Sequence, residues 1–473
     1  MEKYDVIIIG AGIGGLTCAA LLAKKGVRVA VFEKEPRPGG YCCSFSASGY
    51  SFDACIDSIG GLRAREPLRR ILEDDLGVFD RLDVYELNPT RRNIFPGMTI
   101  DIPADLIQYK ESLQSIFSPE AAGIEQVFSL MEKIYTSSIV SMRENSASDF
   151  LLSMLNKSSY EVLASFIKDE KLLAVLSSYC TFLGLGAQEV SIIAASNILM
   201  HYVKGGTFRI RGGIQTLSDV LADKVNACGG KIFLNEEVTD IFCSNGTIQG
   251  IATKSGMRCA AGSIVSNMDI TTALSLMKKN GLTKDTLRKL DGLEVSGSFV
   301  IAYLGVTDDL RAYDFAPSIG CFSSYDLDAM LNTNDQITFG FSIPSVLDTA
   351  LAPPGGGTVV IHWPFCYNRG VAPFASKDEV GKRVLRAFAQ VVPDIQGKIE
   401  YMSIAGPSTL ERYTGNRRGA AYGWKQSTEL FKSLPYLRKI AGNFHMVGHW
   451  AGYGGGVMPS MLSAHKVAKE IIQ

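Results

Sequence analysis

The sequence lacks a marked excess of charge of one sign, and it lacks an apolar run long enough to span a membrane. Its 47 basic and 48 acidic residues give a formal net charge of -1, which argues against the basic face that a nucleic-acid partner requires. The longest apolar candidates, such as SIIAASNILM, are interrupted by polar residues and fall short of the roughly 18 residues of a spanning helix. The amino-terminal MEKYDVIIIG is too short for the apolar region of a secretory signal and is followed by glycines. We therefore predict a cytoplasmic protein without a nucleic-acid partner.

Metal-binding and redox-thiol motifs are also missing. The 473 residues include 10 cysteines, but no C-x-x-C occurs and no cysteine or histidine cluster has the spacing of a zinc site. In a cytoplasmic chain of this size we expect buried, reduced thiols and no metal. The length itself predicts two or more domains. The cysteines are Cys18, Cys42, Cys43, Cys55, Cys180, Cys228, Cys243, Cys259, Cys321 and Cys366.

An apolar run, a glycine-rich turn and a helical pattern open the chain. Residues 6–9 are continuously apolar, as in a strand buried on both faces of a parallel sheet. Gly10, Gly12 and Gly15 complete a G-x-G-x-x-G motif, which allows a tight turn, close approach of the backbone to a pyrophosphate, and close packing of helix on strand. Residues 16–25 have helical apolar spacing, so free N–H groups at the start of that helix would face a bound anion. The candidate cofactor-binding residues of this turn are Gly10, Gly12, Ile13, Gly14 and Gly15.

A carboxylate follows at the distance expected of a ribose ligand. The second apolar run, 27–32, ends in Glu33, which stands 23 positions after Gly10, and Lys34 comes next. Together with the glycine turn, this acid predicts an adenine dinucleotide site. A nicotinamide dehydrogenase would continue into another strand and helix, whereas residues 34–61 are rich in glycine and serine and too irregular for that unit.

The stretch after Glu33 resembles the second flavin motif of the FAD-dependent amine oxidase and phytoene desaturase superfamily. Gly39 and Gly40 match the glycine pair that follows the ribose acid in that family, and GYSFDAC resembles its G-x-x-F-D-x-G segment with Cys55 where glycine is usual. Tyr41 stands where many members have arginine. The resemblance implies FAD as the cofactor, with Gly39, Gly40 and Tyr41 among the residues near it.

A middle stretch resembles the segment by which the family's chain returns to the cofactor. Residues 202–241 contain a glycine pair, an amphipathic helix predicted over 215–227 and a strand pair, and Gly229 suits a left-handed helix end. In related flavoproteins the next strand lies beside the adenine, which implies contact by Val238. Residues 260–269 resemble the strand that returns under the cofactor.

The carboxyl-terminal stretch resembles the family's last flavin motif. It reads as a strand over 444–447, a glycine-rich turn and a closing helix from about 457. The resemblance implies that the pyrimidine end of the flavin lies against the amino end of this helix, where free N–H groups stabilise negative charge. The matching positions are Gly448, Gly455, Gly456, Val457 and Met458.

Two further segments narrow the resemblance to phytoene desaturases, carotenoid isomerases and retinol saturases. Residues 342–364 resemble their D-x-x-L-A-P-x-G segment, and 406–424 resemble their P-x-T-x-E-R-Y region. The implied fold is α/β: a discontinuous Rossmann-like FAD-binding domain with an inserted substrate domain of mixed sheet plus a helical subdomain. The predicted bounds are 1–75, 205–285 and 435–473 for the FAD-binding domain, 76–204 for a mainly helical region, and 286–434 for the substrate-domain sheet with its connecting helices.

The implied activity is that of an FAD-dependent oxidoreductase on carbon–carbon double bonds of a long apolar polyene, by desaturation, saturation or cis-trans isomerisation. The alternatives are an amine oxidase or protoporphyrinogen-oxidase-like enzyme, and a flavin-binding protein without turnover. No second G-x-G-x-x-G lies between a strand and a helix, so a separate NADPH domain is not expected. Substrate, oxygen, a quinone or a protein partner remain open as electron partner, and the oligomeric state is also open.

Three residues are candidates for chemistry beside the flavin. His449 and Trp450 adjoin the last glycine turn, and Asp57 lies in the flank of the second flavin motif. His449 could donate a proton or a hydrogen bond, or could be a structural histidine. Tyr413, Tyr422 and Trp424 could line a pocket or belong to the core.

A basic segment and a cysteine pair remain. Residues 63–77 place four arginines around apolar positions and could lie on anionic lipid as a peripheral membrane contact, although the acidic residues 73–75 oppose this. Cys42 and Cys43 are adjacent and could join only in a strained ring, so we interpret them as small residues that fill space beside the flavin.

Overall fold

The computed structural model describes residues 2–144, 146–244, 247–277, 290, 292–332, 338–365, 377–431, 439–452 and 454–473. Cys366 and the domain boundaries predicted at 285/286 and 434/435 lie outside these residues. The helices are α1 (Ile13–Lys24), α2 (Pro67–Arg70), α3 (Leu106–Ile116), α4 (Ala121–Glu144), α5 (Asp149–Met154), α6 (Ser159–Leu163), α7 (Glu170–Ser177), α8 (Ile192–Val203), α9 (Gln215–Ala227), α10 (Ile270–Leu276), α11 (Leu327–Asn332), α12 (Lys377–Val391), α13 (Pro407–Thr414) and α14 (Val457–Ile472).

The first sheet gathers three distant parts of the chain. Its main path runs β10-β2-β1-β13-β12-β11, and β20 pairs with β13 and with β19. The strands are β1 (Glu2–Ile9), β2 (Val29–Phe32), β10 (Lys231–Phe233), β11 (Val238–Ser244), β12 (Thr247–Thr253), β13 (Arg258–Ser266), β19 (Lys439–Ala441) and β20 (Phe444–Met446). β1 is parallel to both β2 and β13, and β13 is parallel to β20. Parallel neighbours place their carboxyl ends at one edge, so all three parts deliver their following turns to the same place.

Burial on both faces of β1 explains its apolar run. Val6 and Ile8 face a core shared with α1, α9 and α14, whereas Ile7 and Ile9 face a second core on the other side of the sheet. A strand between two apolar layers needs apolar residues at successive positions. The predicted α/β class and discontinuous Rossmann-like domain are therefore confirmed.

The second sheet has the order β18-β14-β17-β16-β15-β7-β8. Its strands are β7 (Arg91–Phe95), β8 (Met98–Ile102), β14 (Ser298–Val306), β15 (Ser318–Cys321), β16 (Phe339–Ser342), β17 (Gly357–Phe365) and β18 (Ile399–Ala405). One face packs against α12 through Val384 and Phe388. β7 and β8 lie within the region predicted as mainly helical. Their apolar residues alternate, which suits strands, and the two strands pair with each other while β7 also pairs with β15. The domain bounds given above stay a prediction.

Helices α3 to α8 form a third layer that covers the other face of the second sheet. In α4, the buried positions Ile124, Phe128, Met131 and Tyr135 recur at three- or four-residue spacing and build one core with α3, α7 and α8. Local caps define several helix starts, and Ser158 forms a capping box with Glu161. Within the described residues, no helix has the length and apolarity needed to cross a bilayer.

Five smaller strands and the predicted basic segment lie outside the two large sheets. β5 (Ile59–Gly60), β9 (Thr207–Ile210) and β6 (Val84–Glu86) form a small sheet, and β3 (Ser44–Ala47) pairs with β4 (Tyr50–Asp53). Within residues 63–77, Arg63 pairs with Glu86 and Arg69 with Glu73. Peripheral membrane contact by this segment stays a prediction.

The packing of α1 on β1 gives a stability prediction. A Cβ at Gly15 would collide with the carbonyl oxygen of Gly10, a backbone atom that cannot turn away. We expect Gly15→Ala to lower the free energy of unfolding by about 3 kcal/mol through overpacking. The check is the thermal unfolding midpoint of the flavin-loaded protein.

Gly397→Ala is the matched control, since a Cβ there meets nothing within 4 Å. Its free energy of unfolding should stay within about 0.5 kcal/mol of that of the parent protein, so its thermal midpoint should be nearly unchanged. Equal midpoints for the two variants would contradict the close helix-strand contact.

Candidate active site

The first glycine turn presents free backbone donors beside a buried carboxylate. Gly12, the cap of α1, makes no side-chain hydrogen bond, and the first turn of α1 has no acidic residue, so its N–H groups are available to an anion. The Glu33 side chain is buried and accepts hydrogen bonds from the Ala11 N–H (2.7 Å) and the Glu35 N–H (3.0 Å). Burial raises the pKa of Glu33, and the two N–H groups offset part of that rise.

The second glycine pair closes over the first. The Gly39 N–H donates to the Ala11 carbonyl at 2.9 Å, and a Cβ at Gly40 would lie 3.4 Å from the Cα of Gly12. Gly39 and Gly40 both have positive φ, at 130° and 59°. Side chains at these positions would narrow the space between the two turns, which suits the predicted backbone approach to a cofactor.

Lys34 and Tyr41 are tied to the second half of the chain. The Lys34 ammonium donates to the Arg412 carbonyl at 2.8 Å. The Tyr41 hydroxyl donates to the Ala420 carbonyl at 2.9 Å, and its pKa is raised by burial. Tyr41 therefore engages protein backbone at the position where many relatives have an arginine.

Asn267 is a site residue that the sequence patterns do not reveal. It directly follows β13 and its N–H donates to the Ile9 carbonyl at 2.9 Å. A Cβ at Gly12 would lie 2.6 Å from its Nδ2, a Cβ at Gly14 would lie 2.8 Å from its Oδ1, and a Cβ at Gly448 would also collide with Oδ1. Its side chain thus lies between the first and last glycine turns. The only available signal is its place at the carboxyl end of a predicted strand.

The last glycine turn presents a second uncapped helix end. Gly456 occupies the N-cap position of α14 with a φ of 108°, and no described side chain accepts a hydrogen bond from the first N–H groups of the helix. Met458 is buried in the core shared with α1, and a Cβ at Gly455 would collide with Tyr422. The amino ends of α1 and α14 therefore open into one region. Val238, the first residue of β11, is buried in the core on the other side of the sheet.

The adjacent cysteines stay separate thiols. Cys42 is buried in the core behind α1, and Cys43 is half-buried. Burial raises the pKa of both thiols, that of Cys43 to about 11, so both are protonated at neutral pH. This environment suits the space-filling interpretation.

Among the described residues, His449 and Trp450 do not line the cavity that lies between α4, α8 and the second sheet. Trp450 is fully buried, and its Nε1 donates to Asn416 Oδ1 at 2.8 Å. His449 is half-buried with its ring 5.9 Å from Tyr41, and burial lowers its pKa to about 4. Trp450 therefore has a packing role here, and the participation of His449 in chemistry stays a prediction.

A cavity begins at the turn before α14 and extends between α4, α8 and the second sheet. Most of the wall surface is apolar, and polar side chains are interspersed along it. The apolar and aromatic members include Ile139, Met142, Phe182, Leu183, Ile198, Tyr202, Phe299 and Tyr422. Of the predicted site residues, Gly455, Gly456, Val457, Met458 and Asp57 line this cavity.

Asp57 belongs to a buried ionic network. The Arg209 guanidinium contacts Asp53 at 3.2 Å and Asp57 at 3.3 Å, and the Ser318 hydroxyl donates to Asp57 at 2.8 Å. Burial by itself would raise the pKa of Asp57, but Arg209, His362 and hydrogen bonding together hold it below its ordinary value. Asp57 is therefore an ionised, paired carboxylate in the cavity wall.

The whole-chain comparison decides the family. A model of flavin-containing amine oxidoreductases matches residues 13–472, from the start of α1 almost to the end of α14. The chain belongs to this family. It is accordingly an FAD-dependent oxidoreductase, and the residues around both helix ends fit a dinucleotide flavin: uncapped N–H groups, a buried carboxylate and side-chain-free turns.

Named relatives cover nearly the whole chain at low identity. A 4,4'-diapophytoene desaturase of Methylomonas sp. is 23% identical over 99% of this chain and 94% of its own. The chloroplastic prolycopene isomerase of Daucus carota is 25% identical over 99% and 81%. The all-trans-retinol 13,14-reductase of Homo sapiens is 25% identical over 89% and 77%.

Solved structures show the same fold. A Methanosarcina mazei oxidoreductase has a TM-score of 0.67 at 22% identity, covering 99% of this chain and 100% of its own. A putrescine oxidase double mutant has a TM-score of 0.71 at 16% identity, covering 100% and 99%. At these identities the likeness concerns the fold alone.

The buried carboxylate gives a prediction on cofactor affinity. We expect Glu33→Gln to raise the dissociation constant of FAD about tenfold or more, because a charged hydrogen bond is lost and an amide N–H faces a backbone donor. Equilibrium dialysis with flavin fluorescence measures this constant.

Glu35→Gln is the control, since the Glu35 side chain pairs with Lys34 at 3.7 Å near the surface and the substitution keeps the backbone N–H that donates to Glu33. Unchanged FAD affinity in the Glu33 variant would remove Glu33 from the cofactor site.

His201 on α8 gives a pH prediction. It is 8% exposed, and burial lowers its pKa from 6.5 to about 4. As the pH falls, the unfolded chain therefore binds this proton at a higher pH than the folded protein does. The free energy of unfolding decreases by about 3 kcal/mol between pH 6.5 and pH 4. The thermal unfolding midpoint of His201→Gln should fall less than that of the parent protein over this pH interval. Parallel pH curves for the two proteins would contradict this.

Proposed function

We propose that this oxidoreductase acts on carbon–carbon double bonds of a long apolar polyene of carotenoid or retinoid type. The observation that carries the proposal is the mainly apolar cavity that begins at the turn before α14. Three relatives named for polyene substrates support it: a desaturase, an isomerase and a reductase. Burying a polyene against such walls contributes roughly 25 cal/mol per Å² of apolar surface removed from water.

The charges in the cavity wall argue against an amine as substrate. An ionic partner for an alkylammonium would be a carboxylate that is free to pair with it. Asp57 is the only acidic residue among the described lining residues, and Arg209 and Ser318 already engage it. Arg91 also lines the cavity and would repel a cation. The amine oxidase alternative shares the fold, but the described lining residues offer no unpaired carboxylate to an ammonium.

When bound, FAD supplies hydride or electron transfer, and the chain supplies position and environment. The free N–H groups of α14 stabilise negative charge at the turn. Tyr422 and Phe299, with ring centroids 6.3 Å apart, form a wall leading away from that turn. Helices α4 and α8 cover the opposite side and exclude water.

Anaerobic spectroscopy of the flavin-loaded protein tests this proposal. We expect polyenes to perturb or bleach the oxidised flavin spectrum, or to reoxidise reduced flavin, and amines to do neither. Bleaching by a more saturated polyene indicates desaturation, reoxidation by a conjugated polyene indicates saturation, and isomer exchange without net flavin change indicates isomerisation. Bleaching by amines alone would replace the proposal with an amine oxidase.

A cavity-filling variant ties the effect to this site. Ile198→Trp places a larger ring in the cavity wall and should lower kcat/KM for a polyene about tenfold or more, with FAD affinity unchanged. Ile107→Trp is the matched control, because Ile107 is 62% exposed on α3. Equal effects of the two substitutions would place the polyene elsewhere.

A further inference from the structure

Two glycines form a trough in the cavity-facing side of the second sheet. Strand register aligns His362 on β17 with Gly340 on β16, Gly340 with Gly320 on β15, and Gly320 with Asn93 on β7. Residues aligned in this way present the same face. A Cβ at Gly320 would lie 2.5 Å from Nη2 of Arg91, and a Cβ at Gly340 would lie 3.1 Å from it. The Arg91 guanidinium therefore lies across the trough.

The Arg91 side chain is buried with unused donors. It is 3% exposed, its Nε donates to Asn93 Oδ1 at 3.0 Å, and its guanidinium lies 4.4 Å from the ring centroid of Phe182. Among the described residues, neither terminal nitrogen donates a hydrogen bond to an acceptor, and Arg91 lines the cavity. Terminal donors that face the cavity without a protein acceptor can donate to an oxygen of a bound ligand.

His362 places an acceptor beside these donors. It is one strand from Gly340, so its side chain stands about 5 Å along the row from the trough. Its Nε2 is buried without a hydrogen-bond partner among the described residues, whereas the Cys55 backbone engages the ring. Burial lowers the pKa of His362, so the imidazole is neutral and Nε2 can accept a hydrogen bond.

The charge balance around the trough favours a neutral ligand. Arg209 pairs with Asp53 and Asp57, and Arg91 lies in the electrostatic range of Asp57. Two cations and two anions cancel, so a further carboxylate would leave a buried negative charge uncompensated. A hydroxyl group adds no charge, accepts from Arg91 and donates to His362.

We propose that the substrate polyene carries a hydroxyl group at one end, held between Arg91 and His362. This inference rests on the proposed polyene function and adds the end-group chemistry. The Phe299 ring lies 6.3 Å from that of His362 and 6.3 Å from that of Tyr422, which packs on Gly455. The chain next to the hydroxyl would therefore pass these two rings toward the last glycine turn.

A matched set of polyenes tests the end group. Binding of all-trans-retinol, all-trans-retinal, all-trans-retinoic acid and the corresponding methyl-ended hydrocarbon to the holoprotein is measured by perturbation of the flavin spectrum. We expect the alcohol to bind most tightly, and Arg91→Met to weaken alcohol binding about tenfold without weakening hydrocarbon binding. Arg91→Lys, which keeps the charge, should retain part of the preference.

Two further variants provide a control for Arg91 and a test of the acceptor on His362. Arg92→Met is the control on the same strand, because Arg92 pairs with Asp101 on the opposite face. His362→Phe removes the acceptor and keeps a ring, so it should weaken binding of the alcohol and leave that of the aldehyde unchanged. This variant also tests the site if Arg91→Met fails to fold.

The outcomes distinguish this inference from the proposed function. Equal affinity of the parent protein for all four polyenes, or tightest binding of the acid, would overturn the hydroxyl site and leave the polyene function standing. Absence of any response to all four, together with responses to amines, would overturn both.

Discussion

The cofactor site depends on the Asn267 side chain, which lies in close contact between two glycine turns. Asn267 leaves the carboxyl end of β13, which lies between β1 and β20, so the turns that follow these strands meet around it. Gly12, Gly14 and Gly448 have no Cβ at the points where one would strike its amide. This close contact brings the uncapped amino ends of α1 and α14 to one region, where both helix dipoles would favour a bound anionic group.

A second constraint shapes the substrate side, where an apolar cavity has ionised groups in its wall. Arg209 with Asp53 and Asp57 forms a compact network, and Arg91 lies in the electrostatic range of Asp57, so two cations balance two anions. Removing one member would leave an uncompensated buried charge, which is the costly case for such networks. Arg91 differs, because a π contact and one amide oxygen satisfy it only in part.

Local patterns predicted the cofactor half of the molecule well. The helix expected over 215–227 has those bounds as α9, and the closing helix begins at Val457 as expected. Such features follow from glycine positions and apolar spacing within short segments. Adjacency in the chain was a poorer guide to the cavity: His449 and Trp450 adjoin the glycine turn, yet Trp450 turns into the core and donates to Asn416. Its direction depends on packing against Trp424, 26 positions earlier.

By itself, therefore, the sequence determined the dinucleotide turn, its carboxylate at Glu33, the order of the flavin motifs and the membership of the family, because each is written in contiguous residues. Only the tertiary structure decided what faces the cavity. Arg91, Gly320, Gly340 and His362 come from four strands separated by long stretches of chain, and their alignment depends on strand register. Which strands become neighbours is decided in the tertiary structure, as where β7 reaches β15, and only then does the buried face set the register between them.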